Sequence, residues 1–269
     1  MDSDKEYTLF AKTVQGGALR SLFECLYHIV HDTNVTWEAR DEKGEGGGAK
    51  ILTMDGARCA LIHMRLDADQ FDEFYCPGTV VTGINMSSIW KLLKTASSHD
   101  TITIFMESET PYELGLVIEN AEKNARTQYA LKLLDCDSEN FNIPDVTFDR
   151  VLTLPSVYFQ RLCREMTNLG EYMTISIHGS QLQLVCDGTF ARQHTSIGES
   201  DGCMSVTETT GESVEEAIYS LRYLSLFTRA SSLSNVLTLF IKKDFPLVLQ
   251  YSIANLGTLR FCLATHVTE

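Results

Sequence analysis

Two segments of the chain carry apolar residues at the i, i+3, i+4, i+7 spacing of a helix that buries one stripe. Gly17–His28 puts Leu19, Leu22, Phe23 and Leu26 on that stripe, and Ser156–Leu169 puts Phe159, Leu162, Cys163, Met166 and Leu169 there. Two shorter segments, Ser87–Ala96 and Leu221–Ala230, read as helices too. Pro155 precedes the third helix, Ser156 is its expected N-cap, and Gly170 stands where a C-terminal glycine belongs. Most of the remainder reads as strands, short and rich in Val, Ile, Leu, Tyr and Phe. These are Ala60–Leu66, Thr101–Phe105, Leu114–Ile118, Tyr129–Leu133, Val151–Leu154, Met173–Ile177, Leu182–Val185, Val236–Phe240, Leu247–Ile253 and Thr258–Leu263. Turn signals at His178-Gly179-Ser180, Asp187-Gly188 and Asn255-Leu256-Gly257 separate several of them.

A weak internal repeat organises these elements. Ala96-Ser97-Ser98 recurs as Ala230-Ser231-Ser232, each time between a helix and an apolar strand. The offset is about half of the 269 residues, the size of one domain of two. Strands in series with two helices per half predict an α+β fold: two similar domains, each with antiparallel sheets and two helices. The expected division is 1–133, a connector at 134–149, and 150–269. Two open strand edges, Leu114–Ile118 and Ala191–Ile197, are expected to pair with further copies.

The connector is acidic, with Asp135, Asp137, Glu139 and Asp145, yet it also carries Phe141, Ile143 and Pro144. A plain linker would be polar. Such residues either pack back onto a domain or form one wall of a binding groove. Arg40–Lys50, with its run of glycines, reads as a flexible hairpin tip or insertion; it lacks the G-K-[ST] element of a phosphate loop.

Charge changes the picture more than composition does. Hydrophobic residues at 44% and charged residues at 22% are ordinary for a globular protein. Thirty-six acidic against 22 basic side chains give a net charge of −14, which by itself argues against nucleic acid. The helices reverse that sign. They hold Arg20, Lys91, Lys94, Arg161, Arg164, Arg222 and Arg229 against Glu24 and Glu165 alone. The i, i+3 and i, i+7 spacings put each pair on one helix face. One such pair is an ordinary solvated face, but four helices in two related halves imply a basic surface on an acidic body, suited to phosphates rather than base edges.

At this point the residues resemble the proliferating cell nuclear antigen family of DNA sliding clamps. The resemblance runs from about Ala11 to Ala264. It rests on Val14-Gln15-Gly16, Leu52-Thr53-Met54-Asp55, Gly83-Ile84-Asn85-Met86-Ser87-Ser88 leading into Lys91-Leu92-Leu93-Lys94, and Leu131-Lys132-Leu133-Leu134-Asp135. It continues through Ile143-Pro144, Leu154-Pro155-Ser156, Leu221-Arg222-Tyr223-Leu224, Pro246-Leu247-Val248 and Ile253-Ala254. It implies three chains closed head to tail into a ring, with helices lining a hole that duplex DNA threads. The lumen set would be Arg20, Lys91, Lys94, Arg161, Arg164, Arg222 and Arg229. Partner proteins of the family, among them polymerase and clamp loader, insert a short peptide with apolar anchors beside the connector. Carried over by position, that pocket uses Met54, Leu61, Phe141, Ile143, Pro144, Phe148, Pro246, Cys262 and Ala264.

Several positions depart from the family pattern. Two usually basic lumen positions are Ser21 and Tyr27, and the stretch Arg-Cys-Asp-Arg becomes Tyr75-Cys76-Pro77-Gly78. Cys262 replaces a pocket aromatic, and Thr265 a proline. No lysine occurs between Lys132 and Lys242, so the family's modified lysine, which aligns near Gly179, has no counterpart. Together these imply a divergent clamp of a large DNA virus or an early-branching eukaryote.

Other classes fit less well. His28 and His31 share a helix end, but no Cys or carboxylate supplies the further ligands of a zinc site. No catalytic or nucleotide-binding motif stands in the right context. The expectation is a non-enzyme without cofactor or metal. The alternatives are a subunit of a hetero-trimeric checkpoint-type clamp and a monomeric viral polymerase processivity factor. Eight cysteines scattered among apolar neighbours, a charged Met1–Glu6 without an apolar leader, and no apolar run of membrane-spanning length predict a soluble intracellular protein. Its expected place is the nucleus or the cytoplasmic replication site of a virus.

Overall fold

The computed structural model describes residues 6–137, 146–209 and 214–266. In the first half, β1 (Tyr7–Thr13), α1 (Gly16–Tyr27), β2 (Asp32–Glu38), β3 (Gly48–Met54), β4 (Ala60–Asp67), β5 (Glu73–Tyr75), β6 (Val80–Asn85), α2 (Met86–Leu93), β7 (Thr101–Glu107), β8 (Glu113–Asn120) and β9 (Ala125–Lys132) follow in order. The second half repeats that order. It runs β10 (Arg150–Pro155), α3 (Ser156–Thr167), β11 (Tyr172–His178), β12 (Gln181–Asp187), β13 (Arg192–Ile197), β14 (Ser205–Thr209), β15 (Val214–Ser220), α4 (Leu221–Phe227), β16 (Val236–Ile241), β17 (Leu247–Ile253) and β18 (Gly257–Leu263). The α+β class and the duplication read from the sequence both hold. Ala96 and Ala230, the marks of the repeat, are both buried.

Two compact units form. The first comprises 1–53, 63–141 and 252–259; the second comprises 54–62, 142–251 and 260–269. In the first unit one sheet has the order β5-β1-β7-β8-β9, and α1 packs on α2. Alternation along β2 turns Thr33, Val35 and Trp37 inward. The indole N–H of Trp37 donates to Thr82 Oγ1 at 3.1 Å, so the buried ring leaves no polar atom unsatisfied. Asn85 caps α2 by accepting from the backbone N–H of Ser88 at 2.8 Å. In the second unit β13-β12-β11-β15 form a sheet, β14-β10-β16-β17 are neighbours in another, and α3 packs on α4. The core of this unit is aromatic: Phe227 and Phe261 stack at 4.5 Å, and Tyr251 meets Phe261 edge-on at 6.2 Å. β18 lies beside β4. Asp67 N–H donates to Leu256 O at 2.9 Å in the first unit, and Ala264 N–H donates to Cys59 O at 2.9 Å in the second, so this pairing is antiparallel.

The structure corrects the expected edge of the first sheet. β8 is hydrogen-bonded to β7 on one side and β9 on the other, so Leu114–Ile118 is internal and β9 is the edge. Its continuous apolar run is the mark of a strand covered on both faces. Val117, only 3% exposed, packs with Phe10 and Phe105 on one face. Gly115 is required there, because a Cβ would lie 2.2 Å from the Phe105 ring. β13, by contrast, is an edge of its sheet as expected.

Smaller corrections concern helix ends. Pro155, not Ser156, is the N-cap of α3, and the Ser156 hydroxyl donates to Ser234 O instead. That helix ends at Asn168 in ordinary right-handed geometry, and Gly170 does not adopt positive φ. The last α-helix stops at Phe227 and continues as a 3-10 turn over Thr228–Ser232. Arg222 and Arg229 therefore do not share one α-helical face. The glycine-rich segment is a hairpin tip between β2 and β3, but it is built rather than loose. Asp41 Oδ1 accepts from the N–H groups of Lys43 and Glu45, and Arg40 pairs with Asp69 at 3.1 Å. Gly48 and Lys50 already belong to β3. Cysteines are less buried than expected: Cys59 is exposed, while Cys136, Cys203 and Cys262 are half-buried. Among the described residues no helix is long and apolar enough to cross a membrane.

Candidate nucleic-acid interface and partner groove

The basic helix residues stand as follows. Lys91 and Lys94, at the end of α2, are exposed. Arg20 on α1 is half-buried; its guanidinium donates to Ala96 O at 3.0 Å, at the end of α2. In the second unit Arg161 and Arg164 on α3, Arg222 on α4 and Arg229 on the 3-10 turn are exposed. Arg161 lies 3.6 Å from Glu165, one helical turn on, and over the Tyr158 ring at 5.1 Å. Such an exposed pair is weak and leaves the guanidinium available to a polyanion. The apolar stripes bury Leu19, Leu22 and Leu26 on α1 and Phe159, Leu162 and Met166 on α3; Arg161 and Arg164 are left on the opposite face of α3, while Arg20 stands at the border of the stripe on α1.

The expected partner groove divides. Phe141, Ile143 and Pro144 lie outside the described residues. The remaining six, Met54, Leu61, Phe148, Pro246, Cys262 and Ala264, all belong to the second unit. Met54, Leu61, Phe148, Pro246 and Cys262 are half-buried and Ala264 is exposed. Burial pushes the Cys262 thiol up to about 11, so it stays neutral and acts as an apolar surface. Phe148 meets Phe240 at 5.1 Å and Phe245 edge-on at 5.8 Å. Arg260 covers the same Phe240 at 5.9 Å. Phe240 and Phe245 thus stand beside Phe148, one of the expected pocket residues, and were not in the set read from the sequence. The signal was there for Phe240: Leu237, Leu239 and Ile241 take the buried positions of β16 and leave that ring on the outer face.

The ends of the connector are tied down. Leu134 bridges to Gly83, with its N–H donating to Gly83 O at 2.9 Å, and the Asn34 side chain donates to Cys136 O at 3.1 Å. A Cβ on Gly83 would lie 2.1 Å from Leu134 O, so only glycine admits this approach. Further on, Lys242 Nζ donates to Thr147 O at 3.0 Å, and Asp149 Oδ2 accepts from Lys243 N–H at 3.1 Å.

One polar pair braces the turn that carries Met54 and Leu61. Met54 and Leu61 flank the turn between β3 and β4, and Asp55 organises that turn by accepting from the N–H groups of Ala57, Cys59 and Ala60 at 3.3, 2.8 and 2.7 Å. The Tyr223 hydroxyl, on α4, donates to the same carboxylate at 2.5 Å. Burial alone would raise the Asp55 pKa, but the Tyr223 and backbone hydrogen bonds outweigh it and hold the carboxyl below its usual value. The Asp55 carboxylate in turn pushes the Tyr223 phenol up to about 12. Among the described residues no group of three or more His, Cys, Asp or Glu is placed to hold a metal ion.

Family models cover both units of this arrangement. The N-terminal domain of proliferating cell nuclear antigen matches residues 8–141, and its C-terminal domain matches residues 142–266. The chain belongs to the proliferating cell nuclear antigen family. A relative from Paramecium bursaria Chlorella virus 1, described as "Probable DNA polymerase sliding clamp 1", is 34% identical over 267 residues, which is 97% of this chain and 98% of the relative. Membership of the proliferating cell nuclear antigen family gives the duplicated α+β chain its name, the clamp fold, and the resemblance read from the sequence motifs holds across both domains.

Proposed function

We propose that the chain is a DNA sliding clamp and polymerase processivity factor, a ring that encircles duplex DNA without reading its sequence. The observation that carries this reading is the reversal of charge. Six exposed and one half-buried basic residue stand on the helices of both halves of a chain whose net charge is −14. Phosphates are held by the helices and repelled by the rest of the surface, which favours threading over binding outside the ring. The chain acts as a scaffold and not as an enzyme.

The duplication supports ring closure. β9 takes the place in the first half that β18 takes in the second, and β13 corresponds in the same way to β4. β18 pairs with β4, while β9 and β13 are open edges of their sheets. A second copy meets both needs by pairing its β13 with β9. Two different edges on one chain give a head-to-tail contact that must close or run on as a filament. Three copies close the ring, carrying 3 × (−14) = −42 formal charges. A homo-trimer, in which every copy carries both kinds of edge, fits these two different edges better than a checkpoint-type hetero-trimer or a monomeric factor does. Replication and repair partners, clamp loader included, dock short apolar-anchored peptides in the groove of the second unit, in the nucleus or at a viral replication site.

The test is retention on circular duplex DNA with the double variant Arg161→Glu/Arg164→Glu. The ring persists in light scattering, retention and polymerase processivity fall, and the salt slope drops by about 0.9 for each phosphate that is no longer neutralised. Full processivity of the double variant at moderate salt rejects the helix assignment.

A further inference from the structure

The outer face of the second unit changes from apolar to polar in a single step. In β16, Leu237, Leu239 and Ile241 are buried, so Thr238 and Phe240 point outward. β16 pairs with β17 so that Phe240 stands opposite Val248 and Thr238 opposite Gln250. β17 returns as β18 after three residues, and Arg260 Nε donates to Gln250 Oε1 at 2.5 Å, which sets Arg260 beside Gln250. Two residues on, Cys262 stands beside Val248 on the same face. One row is thus Phe240, Val248 and Cys262, apolar and joined to the pocket residue Phe148 through Phe240. The next row is Thr238, Gln250 and Arg260.

Arg260 is held in place at the border of the two rows. Gln250 fixes its Nε, and the guanidinium lies over the Phe240 ring at 5.9 Å. Its charge is felt at Cys262, where burial raises the thiol and Arg260 draws it part of the way back. The side chain is nevertheless exposed. Other exposed strand arginines pair with a carboxylate of the same or the neighbouring strand: Arg65 with Asp67, Arg126 with Glu119 and Arg192 with Asp187. Among the described residues no carboxylate pairs with Arg260, and no protein group accepts from its Nη1 or Nη2. In a chain with 36 acidic side chains against 22 basic ones, an oriented cation left without an acid beside an apolar row is a place for an acid from elsewhere.

We propose that Arg260 selects partner peptides by an Asp or Glu carboxylate, which Nη1 and Nη2 receive as the apolar anchor of the peptide settles beside Phe240 and Cys262. The proposal rests on the peptide-docking reading above and adds the chemistry of one peptide position. A carboxylate matches the two Nη groups as a fork, and stacking on Phe240 leaves that fork in one orientation. The apolar row excludes water from one side of the pair, so the pair is stronger than an ordinary surface one. Arg260 and Cys262 are about 7 Å apart along the strand, so the acid lies about two residues from the anchor in an extended peptide. In a helical peptide it lies about one turn away. The remainder of the peptide is free to be basic.

The test is titration of the full chain with peptides that carry one aromatic anchor and Glu, Gln or Lys at each of the four positions on either side of it. At one position Glu should bind wild type about fivefold or more tighter than Gln, with Lys weaker than both. Arg260→Gln should erase that preference and leave the Gln peptide within about twofold of its wild-type affinity. Arg260→Glu should reverse the preference in favour of Lys. Phe240→Leu, which keeps an apolar side chain and removes the ring face, should lessen it. No preference for Glu at any position in wild type, or a preference that persists in Arg260→Gln, overturns the role of Arg260 and leaves peptide docking standing. Failure of every peptide to bind wild type overturns both.

Discussion

The Asp55–Tyr223 pair makes a prediction whose size and pH dependence both follow from the structure. Tyr223→Phe removes a single hydroxyl and keeps the ring that packs near Phe227 at 6.1 Å. A hydrogen bond to a charged group contributes about 1.5–3 kcal/mol. Asp55 keeps its three backbone donors, and both side chains are half-buried, so water takes the place of the hydroxyl in part. The expected loss of stability at pH 7 is therefore about 1–2 kcal/mol, at the low end of that range.

The pH dependence separates this bond from a packing effect. The folded Asp55 pKa is depressed, so its contribution is present above the unfolded carboxylate value near 3.8 and is lost as pH falls through the lower folded value. The folded Tyr223 pKa is raised from 10.0 to about 12, so its contribution is present below pH 10 and is lost as pH rises through 12. Urea melts at pH 3, 7 and 11, at one protein concentration, should show a wild-type advantage that is widest at pH 7 and narrower at both ends. The same variant should bind an apolar-anchored peptide more weakly, by less than about tenfold, because Met54 and Leu61 flank the loosened turn. A stability gap of equal size at all three pH values refutes the reasoning, since lost packing does not titrate.

Three further outcomes can be checked. Gly83→Ala forces Leu134 away from β6 and should cost about 1–3 kcal/mol, with faster amide exchange at Leu134; unchanged exchange there means that the bridge does not hold the connector. Ile143→Ala should weaken a basic, aromatic-anchored peptide of about micromolar affinity by about 1–3 kcal/mol while the ring and its DNA retention persist; equal titration curves for the two proteins would make the connector a linker only. Asp100 is buried, which by itself raises its pKa, but Ser97 and Asn120 bond to the carboxylate and depress it overall. Its contribution is lost as pH falls through that lowered value, so Asp100→Asn should destabilise at pH 7 by about 1.5–3 kcal/mol and much less at pH 2; a constant difference argues against an ionised role.

What was legible in the sequence is what periodicity and charge encode. The helix stripes of Gly17–His28 and Ser156–Leu169 and the duplicated order of elements came through because one buried face per element leaves a repeating mark. Strands such as β2 and β6 were harder to see: Asp32–Glu38 buries Thr33, Val35 and Trp37, but its first inward residue is polar, and the mark fades. The edge of the first sheet was misread for a physical reason that also teaches how to find it. Leu114–Ile118 looked like the strand with most to bury, and it is, because it is covered on both faces and on both sides. The open edge is instead β9, whose residues are all exposed or half-exposed. An open edge has to be read by what it leaves unsatisfied, its row of backbone donors and acceptors, and a hydropathy pattern records side chains only. The Asp55–Tyr223 bond escaped notice for the same reason. It joins residues 168 positions apart through two polar atoms, and only the folded chain brings them together.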